Sequence, residues 1–216
     1  KLEKVQATGW APVENWPQTY WKRNLGGHIN ILTVYVDDFI MAGIDHDKEW
    51  DSIRAAITTT KPEKVGRVLG VHFNFETCKS GPYTSKVTMD MDNYAGQALS
   101  MYESVPNATP LKSNVHYPWL EPTMEQINRE ALETNGTIFG HCAASLLMKL
   151  LYAARMVRVD MCYSINCLSR YVTRWNKLCD KQLSHLFSYL ASHRNSKLNG
   201  HFNTADLDGL EIHAYP

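Results

Sequence analysis

The chain has 216 residues, 44% hydrophobic and 11% aromatic, with 22 basic and 22 acidic side chains. This composition predicts a globular protein with a substantial core and excludes a disordered chain; the length suits one large domain or two small ones. No apolar run approaches the roughly 18 to 20 residues that cross a bilayer, and the opening "KLEKVQATGW" lacks the apolar stretch of a secretion signal. The five cysteines, Cys78, Cys142, Cys162, Cys167 and Cys179, form an odd set without framework spacing, which predicts free thiols in a reducing, intracellular compartment.

The balanced charge conceals a partition. Residues 1–140 carry 13 Lys and Arg against 17 Asp and Glu, residues 141–201 carry 9 against 2, and residues 202–216 carry 0 against 3. A basic block inside a neutral chain attracts polyanions through its local potential; the competing explanation is an ordinary solvated helical face.

In chain order, "HINILTVYVDDFIMAG" alternates Ile29, Ile31, Thr33 and Tyr35 with Asn30, Leu32, Val34 and Val36, then resumes after two aspartates. It predicts a hairpin with Asp37 and Asp38 at its tip. "DHDKEWDSIRAAITTTKP" predicts an amphipathic helix with Trp50, Ile53 and Ile57 on one face, about three to four turns long. "GRVLGVHFNFET" and "YTSKVTMD" around Gly81-Pro82 predict a second hairpin, so the first ninety residues read ββαββ. Residues 92–104 have helical spacing, with Asp90 or Asp92 as N-cap. The proline-rich "PNATPLKSNVHYPWLEP" predicts an extended surface linker between two bodies.

Beyond it, "SLLMKLLYAARMV", "DMCYSINCLSRYVTRW" and "DKQLSHLFSYLASH" predict three amphipathic helices. Leu147, Leu150, Leu151 and Ala154 would line one packing face, and Leu183, Leu186, Phe187 and Leu190 another. Two short strands, "LNGHFN" and "LEIHAYP", follow. There is no internal repeat and no low-complexity tract.

Carboxylates at a hairpin tip suit Mg²⁺, a hard cation that takes oxygen ligands, and two such ions about 4 Å apart serve nucleotidyl transfer. A solvated turn explains the same two residues more plainly. Their context decides: "YVDD" on such a hairpin resembles the palm motif of reverse transcriptases. "RVLGVHFNFE", "VTMDMDNYAGQALSMYESV", "ATPL" and the long helical stretch ending "HLFSYLASHRNSKLNGH" resemble, in the same order, the copia-type LTR retrotransposon class. The likeness runs from about residue 29 to the end.

The resemblance implies an α+β fold: a partial right-hand polymerase palm over residues 1–90 and a thumb-like helix with linker over 91–135. A helical connection over 136–200 and the truncated start of an RNase H-like domain over 201–216 would follow. It implies an RNA-directed DNA polymerase cut from a retrotransposon polyprotein, dependent on two Mg²⁺ ions with Mn²⁺ as a substitute. Template-primer duplex and deoxynucleoside triphosphates would be its partners, with the upstream fingers and palm and the downstream RNase H. Its setting would be cytoplasmic, in virus-like particles, with nuclear access for DNA integration and no membrane.

By position, Asp37 and Asp38 would be the catalytic and metal-binding carboxylates. Tyr35 and Val36 would line the primer terminus and nucleotide, and Leu69, Gly70 and Val71 the primer grip. Lys149, Arg155, Arg158, Arg170 and Arg174 would contact nucleic-acid phosphates.

There are departures. The family's third carboxylate comes from an upstream strand, and neither Glu3 nor Glu14 sits in a matching pattern, so the isolated chain is expected to be inactive. "VRVD" stands where the family carries threonine-arginine-proline-aspartate, keeping Arg158 and Asp160, as in a divergent or decaying copy. The other readings are a non-catalytic nucleic-acid-binding remnant and an unrelated α+β interaction domain. Zinc is disfavoured, since Cys162 and Cys167 on a helix point about 140° apart and Cys179, His185 and His193 keep no finger spacing. The aromatics Trp10, Trp16, Tyr20 and Trp21 could stack on bases, but core packing is the simpler role.

Overall fold

Strand-forming residues between turn signals fold residues 11–42 into an antiparallel meander, visible in a computed structural model that describes residues 2–44, 47–79, 81–126 and 133–203. Strands β1 (Ala11–Pro12), β2 (Thr19–Arg23), β3 (Ile29–Tyr35) and β4 (Asp38–Ala42) lie in sequence order, with Trp21 opposite Ile31 and Ile31 opposite Ala42. Before them comes α1 (Leu2–Ala7), and after them α2 (Asp47–Ala56) and the two-residue β5 (Arg67–Val68). These elements form the first of two compact units, Lys1–Val68 and Leu69–Pro216.

The meander is longer than the sequence pattern suggests, because β1 and β2 were not anticipated. Only Asn30, Leu32 and Val34 of β3 turn inward, packing with Val5, Trp10 and Tyr20 against Trp50, Ile53 and Ile57 of the α2 face. Trp10 and Tyr20 are therefore core residues, whereas Trp16 and Trp21 are exposed and contribute no core. Helix α2 stops at Ala56, short of the expected "TTTKP". Three β-branched threonines and a residue forced out of the helical region by Pro62 disfavour a further turn. Buried Asn30 accepts the Ile44 N–H through Oδ1 at 3.0 Å, and a methyl group on Gly43 would overlap that oxygen. Lys22 Nζ joins β2 to both helices, donating to the Thr8 carbonyl at 2.9 Å and pairing with Glu49 at 2.7 Å.

In the second unit, β6 (Val71–Thr77) and β7 (Ser85–Asp90) make the anticipated hairpin, and β8 (Leu198–Phe202) pairs antiparallel with β7. Helices α3 (Asp92–Glu103), α4 (Ala143–Met156), α5 (Cys162–Ser169) and α6 (Lys177–Ser192) enclose a core of Tyr102, Phe139, Leu146, Leu150, Ile165 and Leu186, among others. The expected helix over 160–175 is α5 flanked by two 3₁₀ turns, Val159–Met161 and Val172–Arg174. Met91 precedes α3 without capping it; the Asp90 carboxylate only reaches the Asp92 N–H at 3.5 Å. Helix α6 has the better cap, Asn176 Oδ1 accepting from Cys179 N at 2.9 Å.

The proline-rich segment is no linker between bodies. It is a strap within the second unit, laid along α6 and held by side chains at helical spacing. Ser188 and Ser192 accept the Lys112 and Val115 N–H groups at 3.0 and 3.1 Å. Gln182 exchanges two bonds with Leu120, and His185 and His193 donate to the Tyr117 and Val115 carbonyls at 2.8 and 2.9 Å. The strap's backbone, lacking a strand partner, is satisfied by these side chains. The strand expected at "LEIHAYP" lies outside the described residues.

Candidate functional site

The hairpin turn comprises two residues. Tyr35 pairs with Asp38, leaving Val36 and Asp37 as the loop, so Asp37 stands at the tip and Asp38 is already the first residue of β4. Val36 has φ 53, a conformation that a two-residue hairpin of type II′ demands of its first loop residue and normally assigns to glycine. A β-branched side chain there is strained, and its 69% exposure shows that no packing contact compels it. All four residues from Tyr35 to Asp38 face solvent.

Asp37, Asp38, Phe39, Ile40 and Trp50 line a groove of about 700 Å³ whose wall also includes the segment from Thr58 to Val68, ending in β5. That wall brings Lys61, Lys64 and Arg67 into the same groove, with Glu63 as its acid. Thr59 Oγ1 is buried in it with no hydrogen-bond partner among the described residues. The wall was missed in the sequence because it has no periodicity. Its signal was the clustering of three cations around a proline directly after a helix stop. Two adjacent carboxylates give Mg²⁺ hard oxygen ligands, and among the described residues no group of three or more His, Cys, Asp or Glu is close enough to complete a metal site. Asp37 and Asp38 fit the ion as partial ligands, leaving positions for water or phosphate oxygens.

No protein-family model matches the chain, and no curated protein or solved structure matches it either. The site therefore rests on its own geometry.

The remaining predicted residues lie in the second unit. Leu69 and Gly70, with φ 51 and 81, form the tight bend into β6, and Tyr152 Oη donates to the Leu69 carbonyl at 2.7 Å. Val71 is buried with Met91, Ala153 and Val157, so it holds the bend in place and is not itself exposed to a ligand. Lys149 lies 4.0 Å above the Tyr94 ring and donates to Gln97 at 3.1 Å; Tyr94 in turn packs on Tyr152 with centroids 5.2 Å apart. Arg155, Arg170 and Arg174 are exposed.

Arg158 must be withdrawn from the phosphate contacts. It is only 3% exposed, bonds both Asp160 oxygens at 3.1 and 2.8 Å and donates to the His193 carbonyl at 3.0 Å. Tyr189 Oη adds a bond to Asp160 at 2.8 Å. Burial works against ionisation of Asp160, but the hydrogen bonds and charge of Arg158 and the Tyr189 hydroxyl outweigh it and hold its pKa below the ordinary value. "RVD" thus encodes a structural ion pair.

The other acid of the basic block, Asp180, is buried. Its oxygens accept from Ile138 N, Phe139 N and Trp175 Nε1 at 2.6, 3.1 and 2.7 Å. The Cys142 and Cys179 thiols are pushed up by burial, which disfavours the thiolate a metal needs. The His185 and His193 rings are engaged with the strap.

Proposed function

We propose that the hairpin groove is the catalytic face of an RNA-directed DNA polymerase, the carboxylates of Asp37 and Asp38 sharing divalent cations with a nucleic-acid end. The carrying observation is the turn itself: strained at an exposed valine, with two carboxylates lining a groove that Lys61, Lys64 and Arg67 also line. Strain without a packing cause collects at functional sites. Carboxylates and cations lining one groove suit a ligand that brings both phosphate and a metal, as a nucleoside triphosphate does.

Mg²⁺, when bound, supplies charge stabilisation at the transferring phosphoryl group. The chain's own share is to hold that charge at Asp37 and Asp38, to offer Lys61 and Arg67 to phosphate oxygens, and to leave Tyr35 exposed beside the tip. Among the described residues Asp37 and Asp38 are the carboxylates offered to the ion, and further oxygen ligands would come from phosphate or water.

The test is extension of an oligo(dT) primer on poly(rA) with Mg²⁺. It should be run on this chain and on a longer polypeptide carrying the coding sequence on its N-terminal side. Incorporation by the longer protein should fall in Asp37→Ala by more than the roughly 10- to 100-fold that losing a metal's supporting partner costs. No incorporation by the longer wild type would refute the catalytic assignment.

A non-catalytic nucleic-acid-binding role has its own support in the second unit. Its acids Asp160 and Asp180 are held in hydrogen bonds within the unit, while Arg155, Arg170 and Arg174 are exposed.

A further inference from the structure

Helix α5 and the 3₁₀ turn after it expose aromatic rings among arginines. Tyr163 is 65% exposed, Tyr171 39%. Tyr163, Cys167 and the C-cap residue Arg170 lie along one helical stripe, spaced four and three residues apart. The half-buried Trp119 of the strap meets Tyr163 edge-on, centroids 6.0 Å apart at 84°, which leaves a face of the tyrosine ring uncovered. The Arg174 guanidinium lies 5.0 Å over the Tyr171 ring. Glu121 is the acid whose charge reaches Tyr163, opposed by Arg170.

Exposed tyrosines could serve a protein partner, but the charge argues otherwise. Residues 141–201 hold nine cations and two acids; Asp160 is paired with Arg158 and bonded by Tyr189, Asp180 is buried on Trp175 and two backbone N–H groups, and Lys177 and Lys197 pair with Glu133 and Asp90. Beside the rings, exposed Arg170 and Arg174 supply positive charge, complementary to a polyanion that also has flat faces to stack. A duplex hides its base faces; a single strand offers them.

We infer that Tyr163 and Tyr171, with Arg170 and Arg174 beside them, form a platform for single-stranded nucleic acid, bases stacking on the rings and phosphates meeting the guanidinium groups. The platform is independent of the hairpin groove and requires neither metal nor nucleotide.

Fluorescence anisotropy of a labelled oligo(dT) strand with the whole chain, without Mg²⁺ or nucleotides, tests it. Wild type should bind at low salt, more tightly than to a duplex of equal length. Tyr163→Ala and Tyr171→Ala should each weaken binding roughly 5- to 100-fold, the range for losing one stacked base. Tyr163→Phe should retain it, and Tyr83→Ala, at a 47% exposed ring in the β6–β7 connection, should change nothing. Arg170→Ala and Arg174→Ala should each lower the salt slope by roughly 0.7.

Several outcomes would overturn it: no binding at low salt, equal or tighter binding to the duplex, or full affinity in both tyrosine variants. So would concentration-dependent self-association that Tyr163→Ala abolishes in the absence of oligonucleotide affinity, which would assign the patch to protein contact. Because primer extension reads the hairpin and anisotropy reads the platform, either can fail alone.

Discussion

The two units place their carboxylates in opposite ways. In the first, Asp37 and Asp38 sit at an exposed, strained turn and line a groove. In the second, Asp160 and buried Asp180 are tied down, each accepting hydrogen bonds from three protein donors. The same side chain is thus a structural tie in one unit and a presented ligand in the other. Removal should therefore cost the second unit more stability than the first.

The sharpest break of that comparison is Asp180→Ala. Trp175 Nε1–H and the Ile138 and Phe139 N–H groups would lose their acceptor in a buried site, at about 1–3 kcal/mol for each group left unsatisfied. A total loss of about 3–5 kcal/mol is expected, read by hydrogen exchange across α4 and α6, which resolves the two units where a single melting curve would merge them. Asp37→Asn should stay within about 0.5 kcal/mol in the first unit. A loss below about 1 kcal/mol in Asp180→Ala would mean that water replaces the carboxylate.

A smaller effect comes from pH. The folded-state pKa of Asp160 lies below its ordinary 3.8, so on acidification the unfolded chain takes up the proton first. The ion pair's contribution to stability is thus fully present above the unfolded pKa and is lost as pH falls through the folded one. Exchange protection around α6 should hold level down to about pH 4 and then decline. Asp160→Asn should start lower at neutral pH and show a shallower acid limb. An unchanged limb would assign the decline to other carboxylates.

How far such roles were legible in the sequence depends on how far away their causes lie. The β3–β4 hairpin and the α2, α3, α4 and α6 faces follow from local periodicity, because each buried stripe is encoded within one element. The roles of Asp160 and Asp180 do not, since their partners Tyr189 and Phe139 stand 29 and 41 residues from the carboxylates they bind. The strap read as a linker because prolines exclude it from regular structure, while the side chains that satisfy its backbone are 62 to 78 residues downstream. Strands β1 and β2 were too short, and too close to Pro12 and Pro17, to stand out as a pattern. The acidic tip was legible as chemistry, but the cationic segment sharing its groove was not, because chain reversal after α2 is what brings them together.

The smallest expected effect discriminates best between a presented site and an ordinary turn. Val36 holds φ 53 with its side chain in solvent. A β-branched residue in that region costs of the order of 1–3 kcal/mol, whereas glycine there forfeits only about 0.5–1 kcal/mol through the freedom of the unfolded chain. Val36→Gly should therefore stabilise the hairpin by about 1 kcal/mol, seen as slower exchange of the β3 and β4 amides. In a plain turn the glycine is a gain without a loss. In a turn whose strain fixes the carboxylates, the same substitution should slow primer extension by the longer protein while the hairpin becomes more stable, because the freed loop no longer holds Asp37 in one direction. Faster exchange in Val36→Gly would show instead that the valine side chain makes a stabilising contact, and the strain would then have a structural cause.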